Sequence, residues 1–422
     1  MINLNLIKLG TNENIGCQLG LGGFSFVHVA DTHLGYEQYN LSERRDDFDN
    51  AFSEVVEKTL ELKPSFMIIA GDLFHHARPS NITLERAIRN FRRLKEANIQ
   101  ILVVDGSHDH APNVVTGTIL NPLDSAGLIY YLPRHEGACW ENDYCYVYGI
   151  PNFRTRERFE EGLPAFYGLK RPTPRKDKFN IFVFHMTLKT QEVNNILPRA
   201  AADANPNLIP DGFNYYAGGH IHAPIYFNFR GGIMAYSGST ENVSYEDAAF
   251  SKGFYYVEVG GDMEPSINYV KLERTRKFKV VERDYSGLHP KEIVEIVVKA
   301  VREADEEGAV IVPVLNGVLP AGVSKREINI AKIRGAAEKA LIVHPVILLR
   351  EAEFSEEVIR DIFSSDIKDL KTKSYEYFLQ FFMQRNYSRE EAEKRARAAI
   401  DLIQHLVMDD EGKVRKILED LF

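Results

Sequence analysis

The sequence predicts an α/β protein in which a mostly parallel sheet is followed by a smaller α+β module and a helical tail. Apolar segments typical of buried strands alternate with amphipathic helices from residue 24 to residue 185, the pattern of strands that pair in parallel. After about residue 214 short strands joined by tight turns follow, which indicates a β-rich half in the same domain. Aromatic and aliphatic residues at helical spacing mark the tail.

The first domain is expected to cover residues 24–258, after an N-terminal extension at 1–23 to which the sequence assigns no function. Its helix at 44–62 carries Phe48 and Phe52 on one face. The remaining predicted elements are strands at 24–31, 65–72, 99–106 and 179–185, a helix capped by Ser80 or Asn81, and the short strands YYAGGHIH, IYFNF, GGIMAYSGS and GFYYVEV.

A second module is expected at 259–350, and a linker with a helical tail at 351–422. In the tail, Ser388 and Glu391 form a capping box for the last helix. The preceding helix places Tyr375, Phe378, Leu379 and Phe382 at helical spacing, and these residues either dock on their own chain or form a partner site. The predicted elements of the module are the strand INYVKLERTRKFKVVERD, the helix HPKEIVEIVVKAVREA, the strand AVIVPVLN, the helix REINIAKIRGAAEKA and the strand LIVHPVILL.

Bulk composition alone argues against a nucleic-acid substrate. The chain of 422 residues has 51 Lys and Arg against 60 Asp and Glu, a net charge of −9, so that no global basic field attracts DNA or an anionic membrane. Three Cys without a CxxC pair favour neither a disulfide framework nor a zinc knuckle. No apolar run approaches the ~18–20 residues of a membrane span, and we therefore expect a reducing, cytoplasmic location with no membrane partner.

Histidines and carboxylates after the apolar strands predict a metal centre. In an open α/β sheet ligands bind at the carboxyl ends of strands, so clusters that follow successive strands can converge on one crevice. Imidazole and carboxylate without thiolate suit manganese, iron or zinc. The clusters are Asp31-x-His33, Gly71-Asp72, Gly106-Ser107-His108-Asp109-His110, His185, and Gly219-His220-Ile221-His222.

This set offers too many ligands for one four-coordinate zinc, and two metals bridged by Asp72 account for the surplus. Such a pair clamps the attacking and leaving oxygens of a phosphodiester. Two divalent cations would also add positive charge at the site, which the net charge of the chain does not count. We expect His28 to be a core residue of the first strand. The histidines without such neighbours are expected to be structural: His135, His289, His344 and His405.

The order D-x-H, G-D, G-S-H-D, H and G-H-x-H resembles the calcineurin-like metallophosphoesterase superfamily. In that superfamily the second residue of the third motif, here Ser107, is normally Asn. The longer motifs HVADTHLGYEQYN with RRDDF, IIAGDLFHHARPS, YYAGGHIH with AYSGSTE, and KGFYYVEV resemble the archaeal meiotic recombination eleven family of repair nucleases. The resemblance implies a four-layer β-sandwich flanked by helices, an α+β capping domain that shapes the DNA groove, and a helical tail.

The resemblance also implies an activity and its ligands. The expected enzyme is a manganese-dependent DNA nuclease with two Mn²⁺ ions per subunit, a 3′–5′ exonuclease on double strands and an endonuclease on single strands. One metal would be held by Asp31, His33, Asp72 and His222, and the other by the bridging Asp72, Ser107, His185 and His220. His108 would face the phosphate and stabilise or protonate the leaving 3′ oxygen, His75 would assist the chemistry, and Asp109 would support the loop.

Ser107 departs from the family pattern, because the hydroxyl is shorter than an Asn amide and is a weak neutral ligand. A water or His110 could take its place at the metal. The departure leaves a partly inactive variant, or a non-catalytic scaffold, as an alternative. Another alternative is a phosphodiesterase or phosphatase on small or other non-DNA substrates, against which the second module and the tail argue.

The implied partners are DNA, as double-strand ends, hairpins and single strands, and an ABC-class coiled-coil ATPase bound by the C-terminal helices. A homodimer is expected through the first two helices, near Phe48 and Phe91. Four side chains beside the metal clusters could contact the phosphate backbone or be ordinary solvated residues: Tyr36, Gln38, Asn40 and Arg78. His76 is expected at the surface.

Overall fold

The chain divides into two units, the first ending at Phe278 and the second beginning at Lys279. The division falls later than the expected boundary at 258/259. It does so because Pro265–Lys271 pairs antiparallel along its length with Gly253–Val259 and so completes a sheet of the first unit. The computed structural model describes residues 23–110, 117–153, 155–196, 204–320, 322–352, 367–384, 387–407, 412, 413 and 417.

Two six-stranded sheets form the centre of the first unit. In spatial order, the first contains Pro265–Lys271, Gly253–Val259, Phe24–Val29, Phe66–Ala70, Gln100–Val104 and Tyr130–Tyr131. The second contains Cys139–Glu141, Cys145–Gly149, Phe179–His185, Tyr215–Gly219, Gly232–Tyr236 and Ile225–Phe229. The last four strands of the first sheet and the middle four of the second, in this order, pair in parallel. Antiparallel strands complete one edge of the first sheet and both edges of the second.

Successive side chains along each strand point to opposite faces of the sheet, so each sheet has an apolar core on both faces. In the first strand Val27 and Val29 face the helices, whereas Phe26 faces the core between the sheets, which Ile181 of the second sheet also enters. The helix Arg156–Leu169 covers the other face of the second sheet. The order helix, sheet, sheet, helix confirms the expected α/β fold and its four layers.

The first two helices, Ser42–Leu62 and Asn81–Glu96, pack their apolar faces on the first sheet. Phe48 and Phe91 are fully buried within the chain, so these two rings are covered by their own chain, and dimerisation through the first two helices stays a prediction. Ser80 caps the second helix by accepting a hydrogen bond from the backbone N–H of Thr83. Shorter helices of this unit are Leu120–Ser125 and Gln191–Ile196, with 3-10 turns at Gln38–Asn40, Leu132–Arg134, Glu136–Ala138, Pro206–Leu208 and Glu246–Ala249.

The second unit packs the helix Pro290–Glu303 on a small sheet. The predicted helix at 326–340 is wrong in length: the Asp305 carboxylate accepts hydrogen bonds from the backbone at 338–340, which holds this segment outside the helix. The predicted strand LIVHPVILL is interrupted at Pro345, which has no N–H to donate. The elements are the strands Phe278–Asp284, Val310–Asn316, Ile342–Val343 and Val346–Ile347, the pair Val318–Leu319 and Arg350–Glu351, the 3-10 turn Lys325–Glu327 and the helix Ile330–Arg334.

Two helices, Ile367–Gln384 and Arg389–Val407, form the tail as expected. They pack against each other, and the Ser388 hydroxyl accepts a hydrogen bond from the Glu391 N–H. The aromatic stripe is half-buried, so much of it docks on its own chain. None of the helices within the described ranges has the length and apolar composition needed to span a bilayer. The extension at 1–22 and the side chains of Ile403 and Leu406 lie outside the described residues.

Candidate metal centre

All five clusters lie at the carboxyl ends of parallel inner strands. These strands end at Val29, Ala70, Val104, His185 and Gly219. Parallel pairing places such ends at one edge of a sheet. The backbone of adjacent clusters is also joined directly, because the His33 N–H donates to the Asp72 carbonyl at 3.0 Å. The convergence predicted from the sequence is therefore present.

Asp31, His33 and His222 form the first ligand group, whose three ligand atoms lie within 4.8 Å of one another. His222 Nε2 is 3.8 Å from Asp31 Oδ1. Asp31 and His33 are buried, whereas the His222 side chain is 23% exposed. Two of the three ligands are thus buried, and His222 is the one that is partly exposed to solvent.

Asp72, His185 and His220 form the second ligand group, again within 4.8 Å of one another. Asp72 lies between the two groups: its Oδ2 is 3.2 Å from His185 Nε2 and 3.9 Å from His33 Nε2. A carboxylate in this position can be shared by two cations.

The histidine tautomers fit metal binding. The Ala70 carbonyl accepts a hydrogen bond from His185 Nδ1 at 2.8 Å, so the proton of a neutral ring is on Nδ1 and Nε2 carries the lone pair. His222 Nδ1 pairs with the Asp247 carboxylate at 3.0 Å in the same way. Neither His33 Nε2 nor His185 Nε2 has a hydrogen-bond partner among the described residues. A ring that donates from one nitrogen and directs the other at a carboxylate is typical of a metal-ligating histidine.

Backbone strain marks the same residues. Asp31, His33, Asp72 and His220 have positive φ angles of 53°, 44°, 47° and 86°, a conformation that is uncommon in residues other than glycine and clusters at functional sites. Gly106 permits the close approach, since a Cβ there would collide with the Asp72 carboxylate. The strained backbone at these residues is therefore part of what directs their side chains toward the metal centre.

His75 and His108 stack beside the first group, with ring centroids 4.5 Å apart. The His75 carbonyl accepts a hydrogen bond from His108 Nδ1 at 3.0 Å, which leaves Nε2 of the exposed His108 ring facing outward. His75 Nδ1 lies 3.1 Å from His33 Nδ1. Burial, aided by the neighbouring His108, lowers the pKa of His75 to about 3, so this ring is neutral and can accept a hydrogen bond from His33.

Ser107 and Asp109 serve the loop between these elements differently. Ser107 Oγ donates to Asp72 Oδ2 at 3.1 Å. The buried Asp109 carboxylate accepts hydrogen bonds from the backbone N–H groups of Gly106, Leu73 and Phe74 at 2.7, 2.8 and 3.3 Å. Burial, with the charge of Asp72, raises the pKa of Asp109 to about 7. These contacts make Asp109 a positioning residue, in keeping with the support of the loop that the resemblance implies.

Comparison with known proteins decides the family. Residues 24–224 match the calcineurin-like phosphoesterase family. The chain is 30% identical over 317 residues to the DNA double-strand break repair protein Mre11 of Archaeoglobus fulgidus, which covers 68% of this chain and 67% of that protein. It is 31% identical over 260 residues to the protein of the same name from Methanococcus maripaludis, covering 59% of this chain and 67% of that protein. The chain belongs to the archaeal Mre11 family.

Membership of the Mre11 family, within the calcineurin-like phosphoesterases, makes the chain a metal-dependent phosphodiester hydrolase. A further relative, the Mre11 protein of Methanocaldococcus jannaschii, is 34% identical over 248 residues, or 56% of this chain and 63% of that protein. The residues that match the calcineurin-like phosphoesterase family, 24–224, contain all five predicted clusters.

Asp247 supports the first group and was missed by the sequence reasoning. Besides its contact with His222, its carboxylate accepts hydrogen bonds from the N–H groups of Val243 and Ser244 at 2.9 Å each. Burial opposes its ionisation, but the His222 ring and the amides hold its pKa below the usual range. Such a carboxylate–histidine pair orients a metal ligand. Asp247 lies within the short 3-10 turn Glu246–Ala249, and no spacing to a strand marks it in the sequence.

Several other candidates lie outside the centre. His110 Nδ1 is 2.7 Å from Asp105 Oδ2, and the Tyr131 hydroxyl donates to the same carboxylate, so the alternative that His110 replaces Ser107 at the metal has no support here. Gln38 is buried and bonds to the Val243 carbonyl and to Arg44, which excludes it as a DNA contact.

The remaining predictions divide similarly. Tyr36 stacks on His75 with ring centroids 3.7 Å apart, whereas Asn40 and Arg78 are exposed. His76 is exposed and His28 is fully buried against the Tyr215 hydroxyl, as predicted. His135 is an ordinary structural histidine that pairs with Asp124 at 2.8 Å.

Proposed function

We propose that the chain is a manganese-dependent DNA nuclease that processes DNA double-strand breaks. The observation that carries the proposal is the pair of ligand groups joined at Asp72 in a member of the Mre11 family. A mixed imidazole and carboxylate donor set is consistent with manganese. The names of the relatives, which are double-strand break repair proteins, supply the substrate class.

The proposed ligands follow from the two groups. Asp31, His33 and His222 would hold one ion and His185 and His220 the other, with Asp72 available to both and Ser107 beside the second. Two divalent ions, when bound, supply a nucleophile at neutral pH and neutralise charge on the attacked phosphodiester.

His108 is the proposed general acid. Because a carbonyl can only accept a hydrogen bond, His108 Nδ1 keeps its proton, and a second proton on the exposed Nε2 is the one available to the leaving 3′ oxygen. His75 fixes this ring by stacking and also contacts His33. Asp109 holds the loop that carries His108. In this proposal the ring faces the phosphate and stabilises or protonates the leaving 3′ oxygen.

Ser107 weakens the second ion in this proposal. Its hydroxyl donates to the Asp72 carboxylate, and a neutral hydroxyl is a poorer ligand than the amide oxygen that the family pattern has at this place. We hypothesise that the second group binds manganese more weakly than the first, and that Ser107→Asn raises cleavage when manganese is limiting.

The expected activities are 3′–5′ exonuclease on double strands and endonuclease on single strands and hairpins. A 3′-labelled duplex and a chromogenic phosphodiester, each incubated with the full chain and manganese, test them. Degradation of the duplex from its 3′ ends supports the proposal. Turnover of the small substrate without any cleavage of DNA would contradict it and favour a small-substrate phosphodiesterase, and failure to bind any metal would favour a non-catalytic scaffold.

The proposed partners are an ABC-class coiled-coil ATPase bound by the two tail helices, and a second copy of the chain. The half-buried aromatic residues of the tail and Met383, which is 44% exposed, offer an apolar surface. The second unit is proposed to cap the DNA groove, and the location to be cytoplasmic and nucleoid-associated. Truncation at residue 372 should abolish co-purification with the ATPase while manganese-dependent nuclease activity persists. Co-purification of the truncated chain would refute the assignment to the tail.

A further inference from the structure

A cavity of about 140 Å³ opens from the second ligand group. His185, His220 and Ser107 form its inner end. Asn152, Phe153 and Thr155, with the first turn of the helix Arg156–Leu169, also line it. Whatever occupies the cavity is therefore in contact with the residues proposed to hold the second ion, within one unit of the chain.

Its far wall is apolar and aromatic. Phe153, Phe159 and Met186 line it, and the two phenylalanine rings meet edge to face with centroids 5.7 Å apart. The Phe153 ring also lies directly on the helix backbone, since a Cβ at Gly162 would come within 2.7 Å of it. The half-buried Phe153 ring is thus held in place beside the metal centre.

The cavity also has a polar wall. Asn152 is only 9% exposed, and its Nδ2 donates to the His185 carbonyl at 3.0 Å. Its Oδ1 is buried and has no hydrogen-bond partner in the described part of the chain. An unsatisfied buried acceptor is unfavourable, and a ligand with an N–H group would satisfy it.

Arg156 lies at the mouth. Its side chain is 59% exposed and pairs with Glu160 one helical turn away, at 2.9 Å. Because exposed pairs of this kind contribute little, the guanidinium can turn to a phosphate at small cost. A ring-sized apolar slot, a buried acceptor and a cation at the rim together match one nucleotide.

We propose that this cavity is a nucleobase subsite, which holds one unpaired base next to the phosphodiester that is cleaved. The proposal rests on the nuclease function proposed above. A dry cavity of about 150 Å³ accommodates a benzene ring, so the size suits a single pyrimidine ring. Stacking on the Phe153 ring would be tolerant of sequence, because every base has a π face. A base must leave the duplex to enter, so the subsite favours frayed ends and single strands.

Calorimetric titration of the full chain, loaded with Mn²⁺, tests the subsite with three probes: thymidine 5′-monophosphate, deoxyribose 5-phosphate and inorganic phosphate. We expect the nucleotide to bind about tenfold more tightly than the sugar phosphate, within the range for stacking of one base. Phe153→Leu keeps the apolar volume but removes the ring, and it should abolish most of this preference. Phe166→Leu, the same substitution on the same helix but outside the cavity, is the matched control and should keep it.

Equal binding of the nucleotide and the sugar phosphate, or an unchanged preference in a folded Phe153→Leu variant, would overturn the proposal. If DNA is cleaved in the same preparation, that result leaves the nuclease function intact and the cavity is only the space around the second ion. If the chain binds none of the three probes and cleaves no DNA, both proposals fail. Melting curves of the variants establish that each is folded.

Discussion

The two ligand groups have similar donors but different support. In the first, His222 is oriented by the buried Asp247 and His33 by His75. In the second, His185 is oriented by a backbone carbonyl, and the remaining position is occupied by the Ser107 hydroxyl, which is bonded to Asp72. Two groups with similar numbers of ligand-type residues can therefore differ in metal affinity. The first group is expected to fill before the second.

Asp72→Asn is expected to have the largest effect. Loss of the shared charge affects both groups, so metal affinity and nuclease activity should each fall by more than about 100-fold, beyond the 10–100-fold typical of a supporting residue. Metal content after dialysis and DNA cleavage are the measurements. Asp211→Asn is the control, because that side chain is 74% exposed. If the Asp72→Asn variant retained two ions, Asp72 would not be shared by the two ligand groups.

Asp247→Asn tests how far the support of His222 contributes to metal affinity in the first ligand group. The amide keeps the shape but not the charge that orients His222, so affinity at the first position should fall by about tenfold. Manganese titration followed by electron paramagnetic resonance measures it. Glu246→Gln, at the exposed neighbouring position, should bind as the unmodified chain does. An unchanged first affinity in Asp247→Asn would show that its contact with His222 is only structural.

Ser107→Asn probes the second group. One added neutral ligand interaction, of about 1.4 kcal/mol at most, should raise affinity at this position by up to roughly tenfold. Cleavage should rise at limiting manganese and differ little at saturation. Ser53→Asn, on the helix Ser42–Leu62, changes the same residue type away from the centre. Equal activity of Ser107→Asn and the unmodified chain at both manganese concentrations would contradict the proposed asymmetry.

His28 separates acid effects on the fold from acid effects on the metal. Burial lowers its pKa from 6.5 to about 3, so the unfolded chain binds this proton more readily. Stability is therefore present above pH 6.5 and is lost as the pH falls toward 3, by up to about 1.4 kcal/mol per pH unit. Urea unfolding of the metal-free chain at pH 7 and pH 5 measures the loss. His28→Asn keeps an acceptor for the Tyr215 hydroxyl and should reduce the loss; an identical loss would place the acid sensitivity elsewhere.

The positions of the clusters were predictable because strand ends are visible as the ends of apolar runs. Asp31, Asp72 and His185 each follow or end such a run. Parallel pairing then brings these strand ends to the same edge of the sheet. Asp247 was not predictable, because its partner His222 is reached through a turn and not through a periodic element. The exclusion of His110 likewise depends on Asp105, a tertiary contact that no spacing reveals.

The limits of pattern reasoning are similar in the fold. Phe48 and Phe91 have the spacing of an apolar helix face, but the sequence does not say whether a sheet of the same chain or a second copy covers it. The strand Pro265–Lys271 reads equally well as the start of a second domain or the edge of the first sheet, and only its pairing decides. Local pattern thus identifies elements, whereas their partners require the tertiary structure.

The count of manganese ions bound per chain, as a function of free manganese, tests the central claim most directly. Two binding steps are predicted, with the tighter one sensitive to Asp247→Asn and the weaker one strengthened by Ser107→Asn. A single ion at saturation, or two ions whose affinities are equal and unmoved by these substitutions, would contradict the account of two unequal positions joined at Asp72.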